Sequence, residues 1–197
     1  MQIYNSIQGS DEWKKERSGH FTASKASDLL MSPNTKGYQN LINQIAYEKI
    51  TGEPVESYKN EWMEYGNEME SIARGQYELL TFNKVHQIGF MELNEWVGAS
   101  LDGIISTDKQ IEIKCVKWNT QMEYLSSLEI PTNYYKQMQF QLFISGRISC
   151  DFFSYHPKLP SFLKSVNRDE KLISEIKEKL DTAINQAQTK INELRRI

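Results

Sequence analysis

The spacing of apolar positions changes twice along the chain and divides it into three stretches. Up to about Leu80 the spacing is helical. Ser10, Asp11 and Glu12 open a short helix through Arg17, and Thr22 or Ser24 is placed to cap a segment ending near Met31. Tyr38 to Ile50 forms a further helix, with Gly52 just past its end where a left-handed cap is usual. From Asn60 to Leu80, Trp62, Tyr65, Met69, Ile72 and Leu79 recur close to helical spacing and leave Asn67, Glu70 and Arg74 on another face.

In the middle of the chain the period shortens. Lys84 to Leu93, Trp96 to Ile105 and Gln110 to Val116 are rich in β-branched and aromatic residues, with turn-forming pieces around Asn94 and Thr107 to Lys109. They predict three antiparallel strands. Helical spacing then returns over Thr132 to Ser145, ending at Gly146, followed by a strand over Ile148 to Tyr155 and a long amphipathic helix from Asp169 to Arg196. The stripe Ile173, Ile176, Leu180, Ile184, Ala187, Ile191 and Leu194 on that last helix suits packing on the sheet, with a coiled-coil contact as the alternative. The expected architecture is α/β, a small mixed β-sheet flanked by helices. Without repeats or a Pro/Gly/Ser linker, residues 1–197 are expected to form one domain.

Composition narrows the class. With 39% apolar and 25% charged residues, 10 Gly and 5 Pro, the 197-residue chain is neither collagen-like nor disordered throughout. No apolar run approaches the roughly 18 residues a membrane span needs, and Met1 to Ser10 lacks a secretory layout, so a cytoplasmic location without membrane contact is expected. Two cysteines, Cys115 and Cys150, are too few for a disulfide scaffold, a four-thiolate zinc site or an iron-sulfur cluster. His20, His86 and His156 lack zinc-ligand spacing. The formal charge of −3 gives no global attraction to nucleic acid, but it is compatible with an enzyme whose acidic residues hold metal.

The chemistry concentrates in Ser100-Leu101-Asp102-Gly103 and Glu112-Ile113-Lys114. On a strand, Glu112 and Lys114 share one face while Ile111, Ile113 and Cys115 share the other. A hairpin pairing the strand that ends at Asp102 with the next would bring Asp102 beside Glu112. Two carboxylates and an ammonium then converge. Carboxylate oxygens, a main-chain carbonyl and water suit Mg²⁺, and phosphodiester hydrolysis fits such a cluster. Lys114 could orient the attacking water, or accept its proton if its pKa is lowered. In isolation the same pattern also describes a solvated strand face.

These residues resemble the phage lambda exonuclease family, the YqaJ-like viral recombinase or alkaline exonuclease type of restriction-endonuclease-like nuclease, whose signature is Asp, then Glu or Asp, any residue, and Lys. Further motifs follow the family's order. They are Gln8 to Trp13 with Arg17, Gly19 and Thr22 to Ser24; Tyr65 to Glu70 with Ala73 and Arg74; Tyr134 to Gln139; Tyr155 to Pro157; and Arg168 to Lys171. The resemblance thus covers nearly the whole chain and implies a restriction-endonuclease-like core.

The resemblance also implies roles. Asp102, Glu112 and the main-chain oxygen of Ile113 would bind one or two Mg²⁺ ions, with Mn²⁺ as the expected substitute. Lys114 and Glu70 would hold the attacking water. Arg17, Ser24, Ser100 and Gln137 would cradle a terminal 5′ phosphate with a guanidinium, two hydroxyls and an amide. The implied activity is 5′ to 3′ digestion of one strand from double-stranded DNA ends. It leaves 3′ single strands for a partner single-strand annealing protein in phage-type recombination. The family's ring of three subunits implies a homotrimer, held on DNA by topology rather than by many phosphate contacts.

Other readings stay open for single residues. Glu70 and Arg74, four apart, also form a surface ion pair. Ser24 also reads as a helix cap, Arg17 as a solvated charge, and Gln137 and Gln141 as a water-facing pair. Met63 is placed as a wedge for the terminal base pair or as a core methionine. Trp13, Trp62, Trp96 and Trp118 are expected in packing. Two departures stand out. Leu101 replaces the proline that often precedes the metal-binding Asp, and Asn34 replaces an arginine that contacts the duplex in the best-known member, with Lys36 as a candidate substitute. Two other functions compete: a structure-specific endonuclease or nickase with the same metal site, and a DNA-end-binding protein without catalysis.

Overall fold

A computed structural model describes residues 1–55 and 61–196, apart from the side chains of residues 61–65 and 67. Met63, the candidate wedge, lies outside the described residues as far as its side chain is concerned.

The chain opens with strand β1 (Gln2–Tyr4) and helix α1 (Asp11–Arg17). As expected, Ser10 caps α1, its side chain accepting from the Trp13 N–H. Strand β2 (Phe21–Thr22), a 3₁₀ turn (Ala23–Lys25) and α2 (Ala26–Leu29) follow, then α3 (Lys36–Thr51) and α4 (Glu61–Thr81). Neither Thr22 nor Ser24 caps a helix through its side chain, which leaves the Ser24 hydroxyl for other partners. Gly52 ends α3 at φ 72°, and Gly146 ends α6 (Thr132–Ser145) at φ 70°; both meet the left-handed geometry expected of them.

The middle of the chain differs from a single three-stranded meander. Strands β3 (Phe90–Asn94) and β4 (Val97–Ala99) pair antiparallel in one four-stranded sheet, ordered β1-β3-β4-β2. Strands β5 (Gly103–Ile104) and β6 (Lys109–Cys115) pair antiparallel in a second sheet, continued by β7 (Ser149–Tyr155) and β8 (Phe162–Asn167) in the order β5-β6-β7-β8. The β6 and β7 strands run parallel. The expected continuous strand from Trp96 to Ile105 is therefore broken at Ser100–Asp102, where the chain leaves one sheet and enters the other. Leu101 turns fully into the core at this break, a burial that contributes roughly 1.5–3 kcal/mol. The fold is a mixed α/β architecture as expected, with its strands divided between two mixed sheets.

Helices cover the sheets. On β6, Ile111 and Ile113 pack with Ala73 and Tyr77 of α4 and Phe153 of β7. Its opposite face, bearing Glu112, lies under α6. Helix α7 (Glu170–Leu194) buries Ile176, Leu180, Ala183 and Ala187 in one cluster with Leu41, Ile42 and Ile45 of α3 and Phe140 and Ile144 of α6. Its stripe therefore packs on the chain's own core. Helix α5 (Trp118–Ser127) and strand β8 complete the structure. Among the described residues, no helix is long and apolar enough to cross a membrane.

Candidate active site

The hairpin register places Gly103 opposite Ile111 and Ile104 opposite Gln110, so Asp102 enters the sheet at the level of Glu112 and Ile113. The Ile113 N–H donates to Asp102 Oδ2 at 2.7 Å. Close approach here needs glycine at 103, because a Cβ would lie 2.2 Å from Val85 Cγ1.

Glu112 is fully buried, and three donors surround its carboxylate. The Lys114 ammonium pairs with Oε1, Gln137 Nε2 donates to Oε1 at 2.6 Å, and Gln141 Nε2 donates to Oε2 at 2.7 Å. A solvated strand face is excluded for this residue. Lys114 also lies 5.2 Å from the centroid of the Tyr134 ring. Burial pulls the Lys114 pKa down, but the carboxylates of Glu112 and then Asp102 outweigh it and drive it above the usual lysine range. Paired with Glu112, Lys114 is thus favoured in its ammonium form.

Burial, then the negative charges of Glu112 and Glu70, push the Asp102 carboxyl well above the usual range; Lys114 and the Ile113 N–H only partly oppose them. Concentrated, desolvated negative charge of this kind is what a hard cation offsets. Among the described residues no three His, Cys, Asp or Glu side chains form a metal cage. Asp102 and Glu112 are a two-carboxylate set, and Mg²⁺ commonly takes one or two protein carboxylates and keeps water for its other positions. The residues fit such an ion.

Glu70 stands at the margin of this cluster on α4. Arg74 NH2 donates to its Oε1 at 2.6 Å, so the ion pair suggested by their spacing does form. It is more than a surface pair: the Arg74 side chain is 14% exposed, and its buried Nε has no hydrogen-bond partner. Burial, then the charges of Glu70 and Asp102, raise the Cys115 pKa to about 12, so Glu70 adds to the negative charge at this end of β6.

Arg17 and Ser24 come together on the other side of Ser100. Arg17 NH2 lies 3.5 Å from Thr22 Oγ1 and 3.4 Å from Ser24 Oγ, its guanidinium stacks 4.1 Å from the centre of the Trp13 ring, and its buried Nε is unpartnered. Burial lowers the Arg17 pKa to about 10, against the charge of Glu48. The Trp13 Nε1–H donates to Ser100 Oγ at 3.0 Å and to Gly89 O at 3.2 Å. Ser100 thus links the Arg17 group, through Trp13, to the carboxylates, through Gln141. Gln137, grouped with Arg17 by sequence, instead contacts Glu112. Two residues outside the expected set belong here: Trp13 supports both Arg17 and Ser100, and Gln141 is wholly buried against Glu112.

Fold and site together define the class of a restriction-endonuclease-like nuclease. Residues 12–148 match the model of the YqaJ-like viral recombinase domain. The structure is similar to LHK-Exo, an alkaline exonuclease from Laribacter hongkongensis, at 32% identity over 95% of this chain and 97% of that one, with a TM-score of 0.88. LHK-Exo in complex with dAMP matches at 31% identity, with the same coverage and TM-score. A phage-related exonuclease from Haemophilus somnus 129PT shares the fold at 16% identity, covering 92% of this chain and 99% of that one, with a TM-score of 0.69. No curated protein sequence matches significantly. The chain belongs to the YqaJ-like viral recombinase family.

Proposed function

We propose that this protein is a Mg²⁺-dependent 5′ to 3′ exonuclease that acts on double-stranded DNA ends and leaves 3′ single strands for annealing. One observation carries this reading: the buried carboxylate cluster and the Arg17 donor group are separate but joined through Ser100, whose carbonyl accepts from Gln141 and whose hydroxyl accepts from Trp13. An enzyme cutting within a duplex has no need of a second, donor-rich group beside its carboxylates. An enzyme that counts from a terminal phosphate does.

Asp102, Glu112 and the Ile113 carbonyl would hold the cation. When bound, it would supply charge neutralisation at the scissile phosphate and acidify a water. The protein's own groups do the rest. Lys114, kept as an ammonium, orients the attacking water by donation, and Glu70 accepts from that water at the cluster's margin. Arg17, Ser24 and Ser100 receive the terminal 5′ phosphate, reading its charge without reading a base, with the Gln137 amide, which donates to Glu112, as a further donor to it.

We further propose a homotrimer encircling the duplex, which reconciles the −3 charge with action on DNA. The exposed Ile72, Leu79, Leu80 and Phe82 provide apolar surface for assembly. A sedimenting monomer at micromolar concentration refutes that part.

The activity is tested on linear duplex labelled separately at each 5′ and 3′ end, with and without the terminal phosphate and Mg²⁺. Release from phosphorylated 5′ ends, strong slowing without the phosphate and no cleavage in excess chelator are expected. Cleavage indifferent to the terminal phosphate indicates an endonuclease or nickase instead, and end binding without cleavage under any divalent ion indicates a non-catalytic end-binding protein.

A further inference from the structure

The Ser100–Asp102 connection carries Asp102 between two sheets, and side chains satisfy its first two carbonyls. Gln8 Nε2 donates to Leu101 O at 2.8 Å, and Gln141 Nε2 donates to Ser100 O at 3.1 Å. The same Gln141 nitrogen donates to Glu112 Oε2 at 2.7 Å. One amide nitrogen therefore ties the β6 carboxylate to the backbone two residues before Asp102.

The orientation of this amide is fixed from behind. Ser145 Oγ donates to Gln110 Oε1 at 2.6 Å, which turns Gln110 Nε2 toward Gln141 Oε1 at 3.5 Å. Gln141 is left with its nitrogen toward the two acceptors, Glu112 and Ser100 O. The flipped amide would set an oxygen against a carboxylate and a carbonyl. Gln110 and Gln141 are both fully buried, where an unsatisfied amide is costly, so the chain from Ser145 to Glu112 has one favourable polarity. Being neutral, Gln141 orients the carboxylate without cancelling the negative charge that Lys114 partly offsets.

We infer that Gln141 is a positioning residue that sets the spacing and orientation of Glu112 relative to Asp102, with Gln110 holding it in register. This rests on the proposed reading of Asp102 and Glu112 as cation ligands. Partners of this kind, one bond behind a metal ligand, typically change metal affinity or activity by about 10–100-fold when removed.

The test is Gln141→Met, which keeps length and removes the donor, with Gln110→Met as the milder companion. Mn²⁺ binding to the DNA-free protein is measured by titration calorimetry, single-turnover cleavage on 5′-phosphorylated duplex, and folding by circular dichroism. Gln141→Met is expected to fold, bind Mn²⁺ about tenfold more weakly or worse, and cleave more slowly even at saturating Mn²⁺, with unchanged half-saturation for DNA ends. Gln110→Met is expected to move in the same direction by less. A folded Gln141→Met with wild-type Mn²⁺ affinity and rate overturns the inference, as does a loss confined to DNA affinity. If Gln141→Met does not fold, Gln110→Met decides, and wild-type affinity and rate in that variant overturn the inference. A wild-type chain that binds no Mn²⁺ overturns the cation reading and this inference together, an outcome distinct from equal binding by wild type and variant.

Discussion

The two halves of the site are opposites in hydrogen bonding. At Glu112 a buried acceptor is surrounded by donors from Lys114, Gln137 and Gln141. At Arg17 a buried donor group has two hydroxyls at 3.4 and 3.5 Å, and its Nε bonds to nothing among the described residues. The first half is held in shape by the protein, with an excess of negative charge. The second is a set of donors short of an acceptor, a deficit that suits the proposed terminal phosphate. Preorganisation and receptivity are thus divided between neighbouring regions. The division is sharpest at Ser100, which contributes its carbonyl to one and its hydroxyl to the other.

Removing the acceptor half should cost most. Asp102→Ala, Glu112→Ala and Lys114→Ala are each expected to lower cleavage by about 10³-fold or more while circular dichroism reports a folded chain; near-normal release of end label by any of them removes that residue's role. Replacing Mg²⁺ by Ca²⁺ probes the same half without mutation. The longer, looser coordination of Ca²⁺ misplaces the water, so DNA retention in a gel-shift assay should persist while turnover falls by roughly 10²-fold. Equal turnover with the two ions would separate the carboxylates from the chemistry.

Breaking the donor half should change what the enzyme senses rather than whether it cuts. Arg17→Ala is expected to slow digestion of 5′-phosphorylated ends by roughly 10²-fold, the effect of losing a buried charge-assisted contact of about 2–3 kcal/mol. It should scarcely alter the slower digestion of unphosphorylated ends. Mn²⁺ affinity should hold at the wild-type value. An Arg17 variant that still distinguishes the two kinds of end shows that the phosphate is read elsewhere.

The carboxylate half was the more legible in sequence. Alternation along β6 set Glu112 and Lys114 on one face, and the turn before it brought Asp102 alongside, as the 2.7 Å bond from the Ile113 N–H bears out. Helix ends with local chemistry, at Ser10, Gly52 and Gly146, were legible too. Elements built by tertiary context were not. Strands β1 and β2 have three and two residues, too short for a period. Strand β8 is exposed along most of its length, and α5 leaves Trp118 and Met122 in solvent while burying Gln121. The same inversion hid Gln141. A polar residue on a helix is expected to face water, and only the buried charge of Glu112 beneath α6 reverses that preference. The wider role of Trp13 was not legible either, because nothing in its neighbourhood along the chain indicates that Ser100 meets its indole N–H and Arg17 its ring face.

Trp13 gives the finest test of the division, since it touches both halves in separable ways. Its ring face stacks under Arg17, and its Nε1–H bonds Ser100 Oγ and Gly89 O. Trp13→Phe retains a ring face and deletes the N–H, a change of about 1 kcal/mol or roughly fivefold in rate. Because Ser100 is the shared residue, that loss should appear on phosphorylated and unphosphorylated ends alike. Trp13→Leu also deletes the cation–π contact, about 0.5–2 kcal/mol, and this additional loss should fall on phosphorylated ends alone. Rates of the two variants on the two kinds of end therefore separate orientation of Ser100 from support of Arg17. If Trp13→Leu loses no more than Trp13→Phe on phosphorylated ends, Trp13 does not support Arg17, and if Trp13→Phe keeps the wild-type rate on both ends, its N–H does not orient Ser100.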